Sequence, residues 1–158
     1  MKLIVPIYYT IEKKTKENKT ILVNMNWYRN AHYMLSNKVK QHYHDLVREQ
    51  YNGEEFTCIS PKYMVYSKRT GTDGANIRAI IEKFVLDGLV KVGAITDDTI
   101  KYVIGDNSEY FIDKENPRAV ITIEEVSRNR ENKWKLKNKK RKQKKIKIKY
   151  LMDTIKIY

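Results

Sequence analysis

The chain has 158 residues, of which 41% are hydrophobic and 32% charged, and it carries a net charge of +13. That length suits one domain with a modest core rather than two. No apolar run approaches the roughly 20 residues that span a bilayer, and the single cysteine, Cys58, excludes an internal disulfide and a cysteine-based zinc cluster. A soluble protein of the reducing cytoplasm is the expectation.

Lys2–Glu12 reads as a strand dense in β-branched and aromatic residues, with Pro6 marking an edge or a bulge. The start, MKLIVPIYYT, lacks the longer apolar stretch and small-residue cleavage site of a signal peptide. Lys13–Lys19 is a charged interruption, and Thr20–Asn24 is a short second strand. Asn26–Tyr51 then has helical period, with Trp27, Ala31, Met34, Leu35, Val39, Tyr43, Leu46 and Val47 as its apolar stripe and Asn24 or Asn26 as N-cap. His32, His42 and His44 are too divergent on a helix to hold a metal together. Arg29, His32, Lys38 and Lys40 on the other face are candidates for phosphate contacts, or else a solvated surface.

Asn52–Gly53 is a turn, and Glu54–Lys68 a strand that includes a buried Cys58 and is bent or broken at Pro61. Lys68 and Arg69 follow at once. A Gly-rich turn with Asp73 then opens a helix whose buried face is Ile77, Ile80, Ile81, Phe84, Val85, Gly88, Leu89 and Val92, and Gly93 closes it. Thr99–Ile104 reads as a strand, Gly105–Ser108 as a turn, Glu109–Asp113 as a hairpin partner and Arg118–Val126 as a final strand. One mixed sheet with two helices packed on it, an α+β fold, satisfies the burial needs of these elements.

Residues 127–158 are of a different kind. They hold fourteen Lys and Arg against Glu131 and Asp153, a net +12, whereas residues 1–126 are near neutral at +1. The chain therefore divides into a folded domain, 1–126, and a basic C-terminal tail, 127–158. A block such as Lys139-Lys140-Arg141-Lys142 suits a polyanion, because each Lys–phosphate contact releases condensed counterions.

The central helix separates two acidic points, Asp73 and the pair Asp97–Asp98. Carboxylates brought close cannot all stay ionised cheaply unless a divalent cation neutralises them. Mg²⁺ takes few protein carboxylates and keeps positions for phosphate and water. Lys68, Arg69 and Lys83 would offset phosphate charge, so the set suits phosphodiester hydrolysis. Each residue also has a purely structural reading: Asp73 as an N-cap, Lys83 and Asp87 as a surface pair, Asp97–Asp98 as a polar turn.

From Thr72 onward the chain resembles the RusA-type endodeoxyribonucleases, the Holliday-junction resolvases of phages and prophages. The residues that carry the resemblance are Asp73 and Asn76, Lys83, Asp87-Gly88-Leu89, Gly93, Ile95-Thr96-Asp97-Asp98 and Lys101-Tyr102-Val103, with weaker similarity at Asn26-Trp27-Tyr28-Arg29, His32-Tyr33 and Asn116–Val126. It implies a RusA-like homodimer that grips a four-way DNA junction and nicks opposite strands in pairs, using Mg²⁺ or Mn²⁺. Carried over by residue, Asp73 and Asp98 are metal ligands and Asp97 an auxiliary ligand or an acid that supports the ligands. Lys83 is then the catalytic lysine at the scissile phosphate, and Asn76 fixes the turn. Where the family often has Asp-x-Asp-Asn, this chain has Asp73-Gly74-Ala75-Asn76, which leaves Asp97 or Glu82 to replace the absent carboxylate. The helix between Asn76 and Lys83 is also one turn longer than in the shortest members. The competing expectation is a non-cleaving, branched-DNA-binding protein of the same fold.

Overall fold

The computed structural model describes residues 1–12, 17–105 and 107–126. The chain divides into Met1–Val126 and Ser127–Tyr158, and every described residue belongs to the first unit. The tail positions Lys139, Lys140, Arg141 and Lys142 lie outside the described residues.

The elements run β1 (Lys2–Pro6), β2 (Tyr8–Ile11), β3 (Lys19–Leu22), α1 (Met25–Asn30), α2 (Tyr33–Gln50), β4 (Ile59–Ser67), α3 (Gly74–Lys91), β5 (Asn107–Ile112) and β6 (Arg118–Glu125). Four strands form a mixed sheet in the order β1-β6-β4-β5, in which β4 and β5 are parallel and the other pairings antiparallel. This is an α+β fold, but β2 and β3 form a separate two-stranded sheet, so the expected single sheet is two. The first strand ends at Pro6 because Ile7 leaves the ladder, is fully buried, and accepts a hydrogen bond from the Val23 amide at 2.9 Å.

α3 has most of the face the sequence predicts: Ile77, Ile80, Ile81, Phe84, Val85, Gly88 and Leu89 are all buried, whereas Val92 is half-buried at the C-cap. It packs against β4 on one side and α2 on another, through Val39, Tyr43 and Val47. Gly88 permits the close approach of the two helices, since a Cβ there would lie 3.1–3.5 Å from the side chain of Val47. The sheet contributes Leu3, Val5, Tyr63, Val65, Ala119, Ile121 and Ile123 to the same core.

Three further expectations are corrected. The helix expected over 26–51 is two helices: Ala31 adopts an extended conformation, and the His32 imidazole caps α2 by accepting from the Met34 amide at 3.3 Å. Pro61 does not break β4. The two-residue period turns its missing N–H the same way as the Ile59 amide, toward the β5 side, where pairing with β4 begins only at Lys62 and Asn107, so no ladder bond is lost. Thr99–Ile104 is not a strand, because the amides of Tyr102 and Val103 both turn back on the Thr99 carbonyl at 2.8 and 3.0 Å, leaving a lone bridge from Val103 to Ile59. β5 consequently runs parallel to β4 and is no hairpin partner of that segment.

The two sheet edges differ. Along β1, the Gln50 side chain accepts from the Ile4 amide at 2.8 Å and donates to its carbonyl at 3.0 Å, which closes that edge. β5 is exposed throughout its length.

Between α2 and α3 lies His44, buried, with neither ring nitrogen meeting a hydrogen-bond partner among the described residues. Burial, then Lys91 and Lys40, hold its pKa below the usual imidazole value, against the opposing pull of Asp87 and Asp45. The folded state therefore keeps His44 neutral where the unfolded chain, with an ordinary pKa of about 6.5, takes up a proton. Stability should be full above neutral pH and fall as pH drops below about 6.5. Urea unfolding across a pH series checks this, and His44→Gln should remove that part of the dependence.

Candidate active site

The carboxyl ends of the parallel strands β4 and β5 and the N-terminus of α3 meet at one end of the sheet. In open sheets with parallel strands, the carboxyl end is where helix termini and loops form ligand crevices. Here they enclose a groove of about 220 Å³ walled by Ser67, Arg69, Thr70, Thr72, Gly74 and Tyr110, among others.

Asp73 stands at the entrance as the N-cap of α3. One carboxylate oxygen accepts from the Asn76 amide at 3.1 Å and the other from Asn76 Nδ2 at 2.6 Å. The pairing accounts for both residues at once: the Asn at the third helical position orients the acid, and the acid satisfies a helix-end amide. Gly74 is required by packing, because a Cβ there would come within 2.2 Å of Tyr110 Cδ1. The Tyr110 ring thus rests against the first turn of α3 while remaining 48% exposed.

Arg69 lines the groove, and its amide meets Ser67 Oγ at 3.4 Å. Lys68 lies over the Tyr8 ring, 5.2 Å from its centroid. On the outer face of the sheet, Tyr66 stacks on Phe111 with centroids 5.0 Å apart, and the Arg118 guanidinium covers Tyr66 at 4.1 Å. Arg118 is held by Asp113 at 2.6 Å, and together with the amides of Asn116 and Glu115 it keeps the Asp113 carboxyl below its usual pKa, the Asn116 amide contributing most.

The other sequence candidates lie elsewhere. Asp97 and Asp98 follow the C-terminal end of α3, where Asp97 Oδ1 accepts from the Asp98 amide at 2.8 Å. An 18-residue helix is about 27 Å long, so within one protomer they stand a helix length from Asp73. No cluster of three or more His, Cys, Asp or Glu occurs among the described residues. Lys83 is exposed on α3, seven residues and hence two turns beyond Asn76 on the same face. Asp87 does not pair with Lys83 but with Lys40 on α2, at 2.6 Å, so that Lys40 serves the helix contact. Arg29 and Lys38 are exposed on α1 and α2. Glu82 pairs with Arg78 at 3.3 Å. Ala75 is exposed in the first turn of α3.

The sequence reading did not include Ser67, Thr70, Thr72 or Tyr110 in the site. The available signal was the Gly directly after Asp73, a position at a helix start where a missing Cβ admits an aromatic ring. No protein-family model and no curated protein matches the chain.

Because Asp73 caps α3, its replacement has a stability cost separable from any activity. Asp73→Ala should lower stability by about 0.5–2 kcal/mol, and Asp73→Asn, which preserves the acceptor, should cost little by comparison. Thermal or denaturant unfolding of the two variants makes the comparison.

Proposed function

We propose that the chain is a metal-dependent, structure-selective endodeoxyribonuclease of RusA type, acting on four-way or other branched DNA as a homodimer. The observation that carries the reading is the convergence at the carboxyl ends of β4 and β5. There an oriented carboxylate on a helix terminus stands beside a groove walled by an arginine and hydroxyls, with Lys68 adjacent. The residue types are those that phosphodiester hydrolysis needs; Asp73 and Asn76 lie at the α3 end beside the groove, and Lys83 lies two turns further along the same helix.

Among the described residues of one protomer, the site offers Mg²⁺ one carboxylate, that of Asp73. Mg²⁺ is commonly held by one or two carboxylates together with phosphate oxygens and water. Asp73 supplies one such carboxylate, and Asp98, assisted by Asp97, supplies the other in this reading. When bound, the ion would supply Lewis acidity toward the phosphate and a more acidic water. Asn76 orients Asp73, Lys83 offers charge toward the scissile phosphate, and Lys68 and Arg69 bind the flanking backbone.

The α3 geometry adds a requirement. Since α3 holds Asp73 and Asp97–Asp98 at opposite ends, one cation can join them only if they belong to different protomers. Asp73→Asn and Asp98→Asn should each reduce Mg²⁺-dependent nicking of a labelled four-way junction by more than about 100-fold while leaving binding intact. Mixing the two inactive variants should restore nicking, because the mixed dimer has one site with both acids intact. Sites built within single chains would leave the mixture dead, and full nicking by either variant or in chelator would sink the enzyme reading. Binding without cleavage in Mg²⁺ or Mn²⁺ by the unaltered chain would favour the non-catalytic reading, for which Ala75 in place of a family carboxylate is the supporting observation.

The near-neutral domain beside a +12 tail supports a role for residues 127–158 in general phosphate affinity. Deleting them should weaken junction binding and flatten the slope of log K against log salt. An unchanged slope in a salt titration would remove that role.

A further inference from the structure

We infer that the groove beside Asp73 is a subsite for one unstacked nucleobase, with the Tyr110 ring as its stacking face. This rests on the DNA reading above and extends it to how a branch point is selected.

The argument starts from size and lining. The groove, about 220 Å³ and partly open to solvent, has room for a single planar ring system. Its walls combine one aromatic ring, an arginine, the hydroxyls of Ser67, Thr70 and Thr72, and apolar Val65 and Ile112. Among the described residues, no carboxylate belongs to the lining. A neutral, flat, hydrogen-bonding ring attached to an anionic backbone matches that wall chemistry.

Tyr110 is preset for this role. Gly74 lets the ring settle on the helix start, and its hydroxyl lies 3.3 Å from Ser108 Oγ, so the side chain is braced along its length. Nearly half of it stays exposed, on an edge strand that no other strand covers among the described residues. An ordered aromatic with a free surface binds bases with little sequence preference, since every base has a π-face. Lys68 and Arg69 follow β4 directly, where a phosphate attached to that base would lie. Paired duplex keeps its bases stacked inside, whereas a branch or a bulge offers one at low cost. The subsite therefore favours DNA with an unpaired or loosely stacked nucleotide next to the phosphate at Asp73.

The test uses the full chain in chelator, so that nicking plays no part. Two DNA probes are titrated: a duplex with a single bulged 2-aminopurine, and the same duplex fully paired. Wild type and Tyr110→Phe should quench the bulged 2-aminopurine and prefer the bulged probe. Tyr110→Ala should lose the quench and bind the bulged probe roughly tenfold or more weakly, with the paired probe unchanged. Gly74→Ala, which pushes the ring away, should reproduce that loss, and an unaltered unfolding curve for either variant shows that the fold is intact. Retained quench and preference in Tyr110→Ala would overturn the subsite, as would failure of wild type to bind either probe. Dissociation of a dimer on Tyr110→Ala would also overturn it, since the ring would then be covered by a second copy. Junction nicking that survives alongside any of these results leaves the nuclease reading standing, so the two fail separately.

Discussion

The burial of α3 is the constraint from which the rest of this domain follows. Eight of its eighteen residues are buried, and they meet both the sheet and α2. A helix enclosed in this way cannot slide or tilt without opening voids or overpacking, each of which costs on the order of 1–3 kcal/mol or more. Gly88 against Val47 fixes the depth of the contact with α2, and Lys40–Asp87 ties the same two helices at the surface. The ends of α3 are thereby held at set places, and those ends carry Asp73 and the Asp97–Asp98 turn. Core packing thus decides where the acids can be, and it places them apart.

The open β5 edge is the second consequence. A crossover from β4 through α3 must return parallel to β4, and the returning strand becomes the last in the sheet. The turn at Thr99–Val103 uses up the amides of Tyr102 and Val103, so strand pairing resumes only at Asn107. That late start shifts exposed Tyr110, Phe111 and Ile112 to the carboxyl end, level with Val65, Tyr66 and Ser67. The exposed aromatics and the capping acid share one end of the sheet for this reason. At the β1 edge, by contrast, the Gln50 side chain occupies the backbone groups of Ile4.

Much of this was legible from local pattern and the rest was not, for physical reasons. The buried face of α3 could be read because 3.6-residue periodicity survives wherever a helix is enclosed. The positive φ of Gly93 and the capping role of Asp73 and Asn24 were legible as short-range chemistry. The break at Ala31–His32 was hidden because the apolar stripe continues across it, and only a cap formed by an imidazole interrupts it. Thr99–Ile104 misled because its β-branched composition is strand-like, whereas the Thr99 carbonyl captures two amides and overrides propensity. Pro61 misled in the opposite sense, since whether a proline harms a strand depends on which side its nitrogen faces. Of the candidate site, Asp73, Asn76 and Arg69 could be picked from sequence, but their relation to Tyr110 depends on the parallel pairing of β4 with the distant β5.

Gly74 and Ala75 separate two kinds of selection on the same turn. Gly74 is dictated by contact, because no side chain fits between the helix start and the Tyr110 ring. Ala75 meets no such demand, being exposed, and a carboxylate would be sterically welcome there. A carboxylate at 75 would sit in the first turn of α3, where the helix dipole favours negative charge. With alanine, the α3 end keeps one acid, Asp73, with both oxygens already engaged by Asn76. A single such ligand leaves a cation dependent on what a second protomer and the phosphate itself bring. Under the nuclease reading proposed above, metal affinity without DNA is correspondingly weak, and cleavage depends on assembly of a dimer on its substrate.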